Sequence, residues 1–428
     1  MIYLLAFITL AATVTQFVAF KRMLAYVQRE LMFKPGAYLP KVSIILPCKG
    51  LDPDFSTNIR KLLRQEYFDA ATGKPNFEVI FAVGSANDPA YAPLKEQCDL
   101  SGDVPTKLIV ANANPSRAHK VNNQLAALEH VSADTEVLVF VDADVIARGD
   151  FIRYLVAQLD DPAIGATTGY RFYIPFKGDW PSLIRSLWNR MSAWELANPQ
   201  YAFAWGGAMA AKRDVFERAK VRENWERAAD DDLVLCTSIK KLGLRIHFVP
   251  QCLVASHGDA TLKEIFEWTN RQLILTKIYY PELWRRAMQK AVVLTVWLLA
   301  IVTAAFYTTI LHDSQMLFAT LAGLSLIPVE LAFLIRAQGM WSRVLHANLA
   351  SSTAATDVKV TDRQSFADPE EQYLLQTAYN KSLWRFSAIL PLAHLVLPWM
   401  TLYSVVTNRI TWRGITYELR SPTETVII

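Results

Sequence analysis

The chain has 428 residues, 52% of them hydrophobic and 20% charged, with a formal net charge of +4. That is more than one compact domain usually holds. It is too apolar for an ordinary soluble protein and too charged for an all-helical transporter, which suggests a soluble domain with a few membrane helices. The small net charge excludes the broad basic field of a nucleic-acid binder.

Residues 2–20 carry no charge, and Lys21 and Arg22 follow. At about 1.5 Å per residue such a stretch crosses ~30 Å of hydrocarbon. A cleaved signal peptide is the rival reading, but it wants a basic start, a shorter apolar run and a small-residue cleavage site. Residues 1–22 are therefore expected to form an uncleaved anchor, and the positive charge after it places its C-terminal end in the cytoplasm.

Between roughly 38 and 260, β-rich runs alternate with helical patterns. The runs are Val42 to Leu46, Glu78 to Val83, Lys107 to Val110 and Glu136 to Val141; helical patterns include Ser56 to Tyr67 and His119 to Glu129. The alternation predicts an α/β domain with a mostly parallel sheet and helices on both faces. Ligands of such sheets bind beyond the carboxyl ends of the strands. Pro47-Cys48-Lys49-Gly50 follows the first run, Asn87-Asp88-Pro89 the second and Asp142-Ala143-Asp144 the fourth. Asp is a common turn former, so one such residue says little. Two carboxylates at i and i+2 after a buried strand suit a hard divalent cation beside a diphosphate.

Asp230-Asp231-Asp232 opens a helix that runs to Leu242, with Gly243 as its stop. An acidic N-terminus that complements the helix dipole explains one or two of the three. Three adjacent carboxylates repel one another, which points to a site that uses the charge, for instance as a general base. Cys48, Cys98, Cys236 and Cys252 stand at no metal-ligand or redox spacing and read as reduced.

Residues 261–289 read as one amphipathic helix at the membrane surface, with a core-packing helix as the plainer alternative. Two apolar runs, 291–310 and 316–335, predict a transmembrane hairpin over 291–336, with Arg285, Arg286 and Lys290 before it and Arg336 and Arg343 after it. Glu330 inside the second run is either a functional ionisable group or one that faces a protein partner or water near the helix end. A cytoplasmic connection over 337–386 leads to a last apolar run, 387–407, interrupted by Pro391 and Pro398. Arg409, Arg413 and Arg420 beyond it favour a segment that enters and leaves on one side; a simple span would put the tail outside. For the tail, ITWRGITY, no role is legible beyond Trp412 and Arg413 as interface residues.

Several stretches together resemble the ceramide glucosyltransferases, lipid-glycosylating members of the large group of inverting glycosyltransferases. They are VSIILPCKGLDPD from Val42, FEVIFAVGSANDPA from Phe77, Lys120-Val121-Asn122-Asn123, Asp142-Ala143-Asp144, WGGAMA from Trp205 and Asp231-Asp232. The resemblance covers about residues 40–290. It implies a GT-A fold, a nucleotide-diphosphate-sugar donor such as a UDP-sugar, a divalent metal (Mg or Mn) and inversion at the anomeric carbon. It further implies that Asp88 and Asp142 contact the uridine, that Asp144 holds the metal and that Asp232 is the base for the acceptor hydroxyl. Lys49, Lys120 and Arg271 are expected near the donor diphosphate. Asp231, Gly207, Gln272 and Trp268 are expected around the acceptor, a membrane lipid. Three features depart from the pattern: WTNRQLIL from Trp268 lacks the Arg-Trp ending of the family's Q/R-x-x-R-W segment, the acidic pair is Asp-Asp, and D-x-D replaces the D-S-G of animal ceramide enzymes. The acceptor thus stays open between ceramide, diacylglycerol and polyprenyl phosphate. A polysaccharide synthase would want a larger helical bundle, and a non-catalytic scaffold would not keep all four aspartates.

Overall fold

The structure, a computed structural model, describes the whole chain except Met1, Pro53, Ala113, Asp313, residues 355–368 and Arg413. Arg413 and part of the expected connection therefore lie outside the described residues. Helix α1 (Ile2–Met32) leads into β1 (Val42–Cys48), α2 (Phe55–Leu63), β2 (Phe77–Val83), α3 (Tyr91–Asp99), β3 (Thr106–Val110), α4 (His119–Leu128), β4 (Val137–Val141) and α5 (Phe151–Ala157). The domain continues with β5 (Ile164–Ile174), α6 (Trp180–Ser192), β6 (Ala208–Lys212), α7 (Arg213–Arg218), α8 (Val221–Trp225), α9 (Asp232–Lys241) and β7 (Arg245–His257). Four long or medium helices follow α10 (Leu262–Tyr279): α11 (Pro281–Leu311), α12 (Ser314–Leu324), α13 (Leu326–Ala354) and α14 (Pro369–Val406). Three short strands, β8 (Arg409–Trp412), β9 (Ile415–Ser421) and β10 (Glu424–Ile427), close the chain.

Seven strands form one sheet in the order β3-β2-β1-β4-β6-β5-β7. Every neighbouring pair is parallel except the two that involve β6. The mostly parallel architecture expected from the sequence is thus present, with three further strands after β4. β1 and β2 are nearly continuous apolar runs because both faces are covered. Val42, Ile44 and Leu46 pack with α2 and α5 on one side, whereas Ile45 joins Phe140, α4 and α9 on the other. On the second side, Phe140 meets Trp225 edge-on with ring centroids 5.2 Å apart. The buried carboxylate of Glu78 on β2 is neutralised by Lys107 at 2.8 Å and accepts a bond from Ser43, so it does not disrupt the core.

Among the described residues, four helices are long and apolar enough to cross a membrane: Leu5–Met32, Pro281–Ile310, Ser314–Asn348 and Ala388–Val406. Their outward faces carry Phe7, Leu10, Leu299, Val302, Phe306, Phe318 and Leu321, all exposed. Two boundaries differ from expectation. The anchor helix does not end at 22 but runs to Met32, because its last turns dock on the sheet: Val27 is fully buried and Tyr26 Oη donates to the Phe248 carbonyl at 2.6 Å. The amphipathic stretch 261–289 is not one helix. Thr261 and Glu264 form a capping box that starts α10, and the chain turns at Tyr280 so that Pro281 begins α11. Proline has no N–H to continue a helix but fits its first turn.

The expected connection over 337–386 is helical where described, since α13 reaches Ala354 and α14 begins at Pro369. Both ends of the last apolar stretch lie against the α/β domain. Near its start, Phe386 receives the Arg190 guanidinium at 4.6 Å. Near its end, Lys277 Nζ donates to the Ser404 and Thr407 carbonyls at 2.5 and 2.8 Å. Between them His394 Nε2 stands 2.9 Å from Glu330, which also accepts from Gln16 of α1. The tail, for which the sequence shows no role, is an antiparallel sheet of order β10-β9-β8 whose Ile410, Tyr417 and Leu419 enter the core of the α/β domain.

Candidate active site

A cavity of about 530 Å³ opens at the carboxyl ends of β1 and β4. Its wall brings together Lys49, Lys120, Asp142, Asp144, Gly207, Asp231, Asp232, Trp268, Arg271 and Gln272. Of the residues expected from the sequence, Asp88 is not on this wall. Its carboxylate instead accepts the N–H groups of Gly50 and Ala90, each at 2.9 Å, and so ties the turn after β1 to the turn after β2.

Lys120 is the hub of the site floor. Its ammonium lies 2.9 Å from Asp142 and 3.0 Å from Asp231, and donates to the Gly206 carbonyl at 3.0 Å. Where the sequence suggests a donor contact, Lys120 holds α4, the end of β4, the turn before β6 and the start of α9 in one arrangement. Burial opposes its charge, but Asp142, Asp231 and Asp232 outweigh that and hold its pKa above the usual lysine value. Burial pushes the Asp142 carboxyl up against the pull of Lys120.

The three acidic residues at the start of α9 have separate tasks. Asp230 accepts the Leu233 N–H at 2.8 Å, which is the helix-terminus role. Asp231 accepts from Gln124 at 2.8 Å besides its pair with Lys120. Asp232 accepts the Gly206 N–H at 2.6 Å. Burial first, then Asp231, pushes the Asp232 carboxyl up to about 6, while Lys120, Asp230 and Gly206 pull it back. Burial first, then Asp232 and Asp231, push the Asp230 carboxyl well above its ordinary value. Asp230 and Asp232 titrate as a pair, and of the two Asp232 is the more exposed to the cavity.

Neither glycine of the turn leaves room for a Cβ unless a neighbouring side chain moves. A Cβ on Gly206 would lie 2.7 Å from Lys120 Nζ and 2.8 Å from Asp231, and one on Gly207 would meet the Trp205 ring at 2.1 Å. That ring carries the Arg171 guanidinium at 4.9 Å, and Arg171 grips both oxygens of Asp144 at 2.5 and 2.8 Å. Sequence reasoning missed Arg171. Its signal is a lone cation alternating with the apolar Tyr170 and Phe172 on β5, as expected when one sheet face lines a site. As site residues it also missed Glu195, Arg286 and Lys290, which form an ion-pair group on the cavity wall, with Glu195 2.9 Å from Arg286 and 2.6 Å from Lys290. Trp412 and Tyr417 of the terminal sheet complete the wall. They lie more than a hundred residues from Arg271 and the acidic residues of the site, where no local pattern points to a site.

Known proteins give this geometry its family. Curated relatives include an N-acetylglucosaminyltransferase of Rhizobium sp. (strain N33), 32% identical over 131 residues, and one of Bradyrhizobium elkanii, 30% identical over 135 residues. These alignments take in 30% and 31% of this chain, and 26% and 68% of the two relatives. A solved mannosyltransferase from Pyrobaculum calidifontis, in complex with GDP-Man and Mn2+, aligns over 94% of this chain and 98% of its own at 18% identity and a TM-score of 0.46. The sequence model of glycosyl transferase family 21 matches residues 2–425, essentially the whole chain, and the protein is a glycosyltransferase belonging to that family.

Proposed function

We propose that this protein moves a hexose, with glucose as the first candidate, from a UDP-sugar to a hydroxyl of a membrane lipid such as ceramide, in a single inverting displacement. One observation carries the reading. Asp232 faces the same cavity as Asp142 and Asp144, and that cavity continues past Trp268 and Gln272 to Leu283, Ala287, Leu397 and Thr401, between α10, α11 and α14. A charged chamber that opens between apolar helices suits a polar donor and an acceptor whose tail stays in the bilayer.

The anomeric C–O bond to the diphosphate breaks as the bond to the acceptor oxygen forms. Asp232 takes the acceptor proton, a role for which a carboxyl near 6 is better matched than one at its ordinary value. Arg271 offsets charge on the departing diphosphate; stabilising developing charge with preorganised groups is usually the largest catalytic contribution. Asp142 and Asp144 fit a divalent cation by chemistry: two hard oxygen donors after a buried strand, with side chains 29% and 32% exposed to the cavity. Asp144 would hold the ion once Arg171 releases one of its oxygens, and the ion would supply positive charge beside the diphosphate.

The cations that flank the membrane helices, from Lys21 and Arg22 to Arg285, Arg286, Lys290, Arg336 and Arg343, support a cytoplasmic catalytic domain. Both ends of the last apolar stretch rest on that domain, which supports re-entry and a tail on the same side.

The test uses full-length protein in detergent with mixed lipids, Mg2+ or Mn2+, and labelled UDP-glucose, UDP-N-acetylglucosamine and GDP-mannose in turn. Label in a ceramide-like band from UDP-glucose is the expected result. Label in diacylglycerol or polyprenyl phosphate replaces the acceptor, and label confined to a water-soluble polymer overturns the lipid reading.

A further inference from the structure

We propose that the C-terminal sheet is a working wall of the active site, in which Trp412 sets the position of Arg271 against the diphosphate of a bound nucleotide. The proposal rests on the donor site described above. Three observations carry it. The Arg271 guanidinium lies over the Trp412 ring, 5.4 Å from its centroid, and both side chains line the cavity. The sheet is anchored from more than one direction: the Tyr417 side chain is buried, and Tyr279 Oη is 3.4 Å from Thr425 Oγ1. Ile410, Tyr417 and Leu419 share one core with α4, α9 and α10.

Arg271 sits in the middle of α10 on a long side chain with many rotamers. Laid on an aromatic face it loses most of them, and a planar guanidinium held this way presents its edge in one direction. The ligand class that such an edge recognises is a pyrophosphate, whose oxygens accept paired N–H donors. Trp412 is on this reading a positioning residue, which acts through Arg271. Tyr417, on the next strand, covers the same side of the chamber and helps to exclude water.

The experiment compares wild-type full-length protein with Trp412→Ala, Trp412→Phe, Arg271→Ala and the Trp412→Ala/Arg271→Ala double variant. Calorimetric titration with UDP, GDP and uridine reads the affinity in each case. Losing a partly desolvated cation–π contact should weaken UDP about tenfold in Trp412→Ala, and Trp412→Phe should recover all but about threefold. Uridine affinity should not change, and the double variant should bind UDP no worse than Arg271→Ala alone. Unchanged UDP affinity in Trp412→Ala overturns the proposal. Equal losses of UDP and uridine overturn it too, because they mark a merely structural role, as do additive losses in the double variant. If the wild type itself binds neither UDP nor GDP, the donor reading fails and takes this proposal with it.

Discussion

Replacing Asp232 by Asn should inactivate the protein and stabilise it at once. The Asp232 carboxyl moves from 3.8 to about 6 on folding, chiefly through burial. At 1.36 kcal/mol per pKa unit, keeping it ionised costs the native state at most about 3 kcal/mol. Water in the cavity and the neighbouring Asp230 share that load, so a figure of order 1–2 kcal/mol is expected. The sign follows from linkage: a raised carboxyl pKa makes the native state bind the proton more tightly. This contribution is complete below pH 3.8 and fades as the pH rises through about 6. Asn is neutral throughout and keeps an oxygen for the Gly206 N–H. At pH 7.5 the variant should therefore melt a few degrees higher than wild type, and the gap should close towards pH 4. Single-turnover transfer should fall by roughly 10²–10⁴ with donor affinity retained, and the wild-type rate should drop tenfold per unit below about pH 6. Thermal unfolding in detergent at both pH values, with donor titration and transfer on the same samples, checks all of this. A rate within tenfold of wild type would remove Asp232 as base, and a lower melting point at pH 7.5 would refute the electrostatic account.

Lys120→Met should be far more damaging to stability, by about 3–5 kcal/mol, because Asp142 and Asp231 are left without their shared cation; a melting point unchanged within two degrees would contradict its role as hub. Arg171→Leu removes the guanidinium that grips Asp144 and should tighten Mn2+ several-fold in the presence of nucleotide, read from the free-ion signal in electron paramagnetic resonance; equal affinity would exclude Asp144 as a ligand. Gly207→Ala forces the Trp205 ring off Arg171 and should cost about 1–3 kcal/mol with a shifted tryptophan emission. Glu330→Leu removes the partner of Gln16 and His394 inside the helical bundle and should loosen α14, seen as faster proteolysis after Arg385 with the α/β domain intact.

Local patterns were enough for much of the molecule. Runs such as Val42 to Leu46 and Val137 to Val141 are apolar on both faces only when helices cover both faces, so a parallel sheet and the edge that carries Asp142 and Asp144 follow from sequence alone. The acidic triplet points to a site because a helix terminus explains only one or two of three adjacent carboxylates. Uninterrupted apolar lengths mark helices long and apolar enough to cross a membrane, because such a run has no polar face to turn to water.

What only the tertiary structure decided is which groups meet. Lys120 pairs with carboxylates 22 and 111 residues away, and periodicity records which face is buried, not against what. β6 runs antiparallel between β4 and β5, a choice made by packing of the whole sheet. Trp268 stands three residues before Arg271, yet the ring under its guanidinium is Trp412, from 141 residues further on. The tail shows no legible role in the sequence because a three-stranded sheet is too small to be stable alone. Its stability comes from Ile410, Tyr417 and Leu419 entering a core built by the rest of the protein, and that contact exists only once the fold has formed.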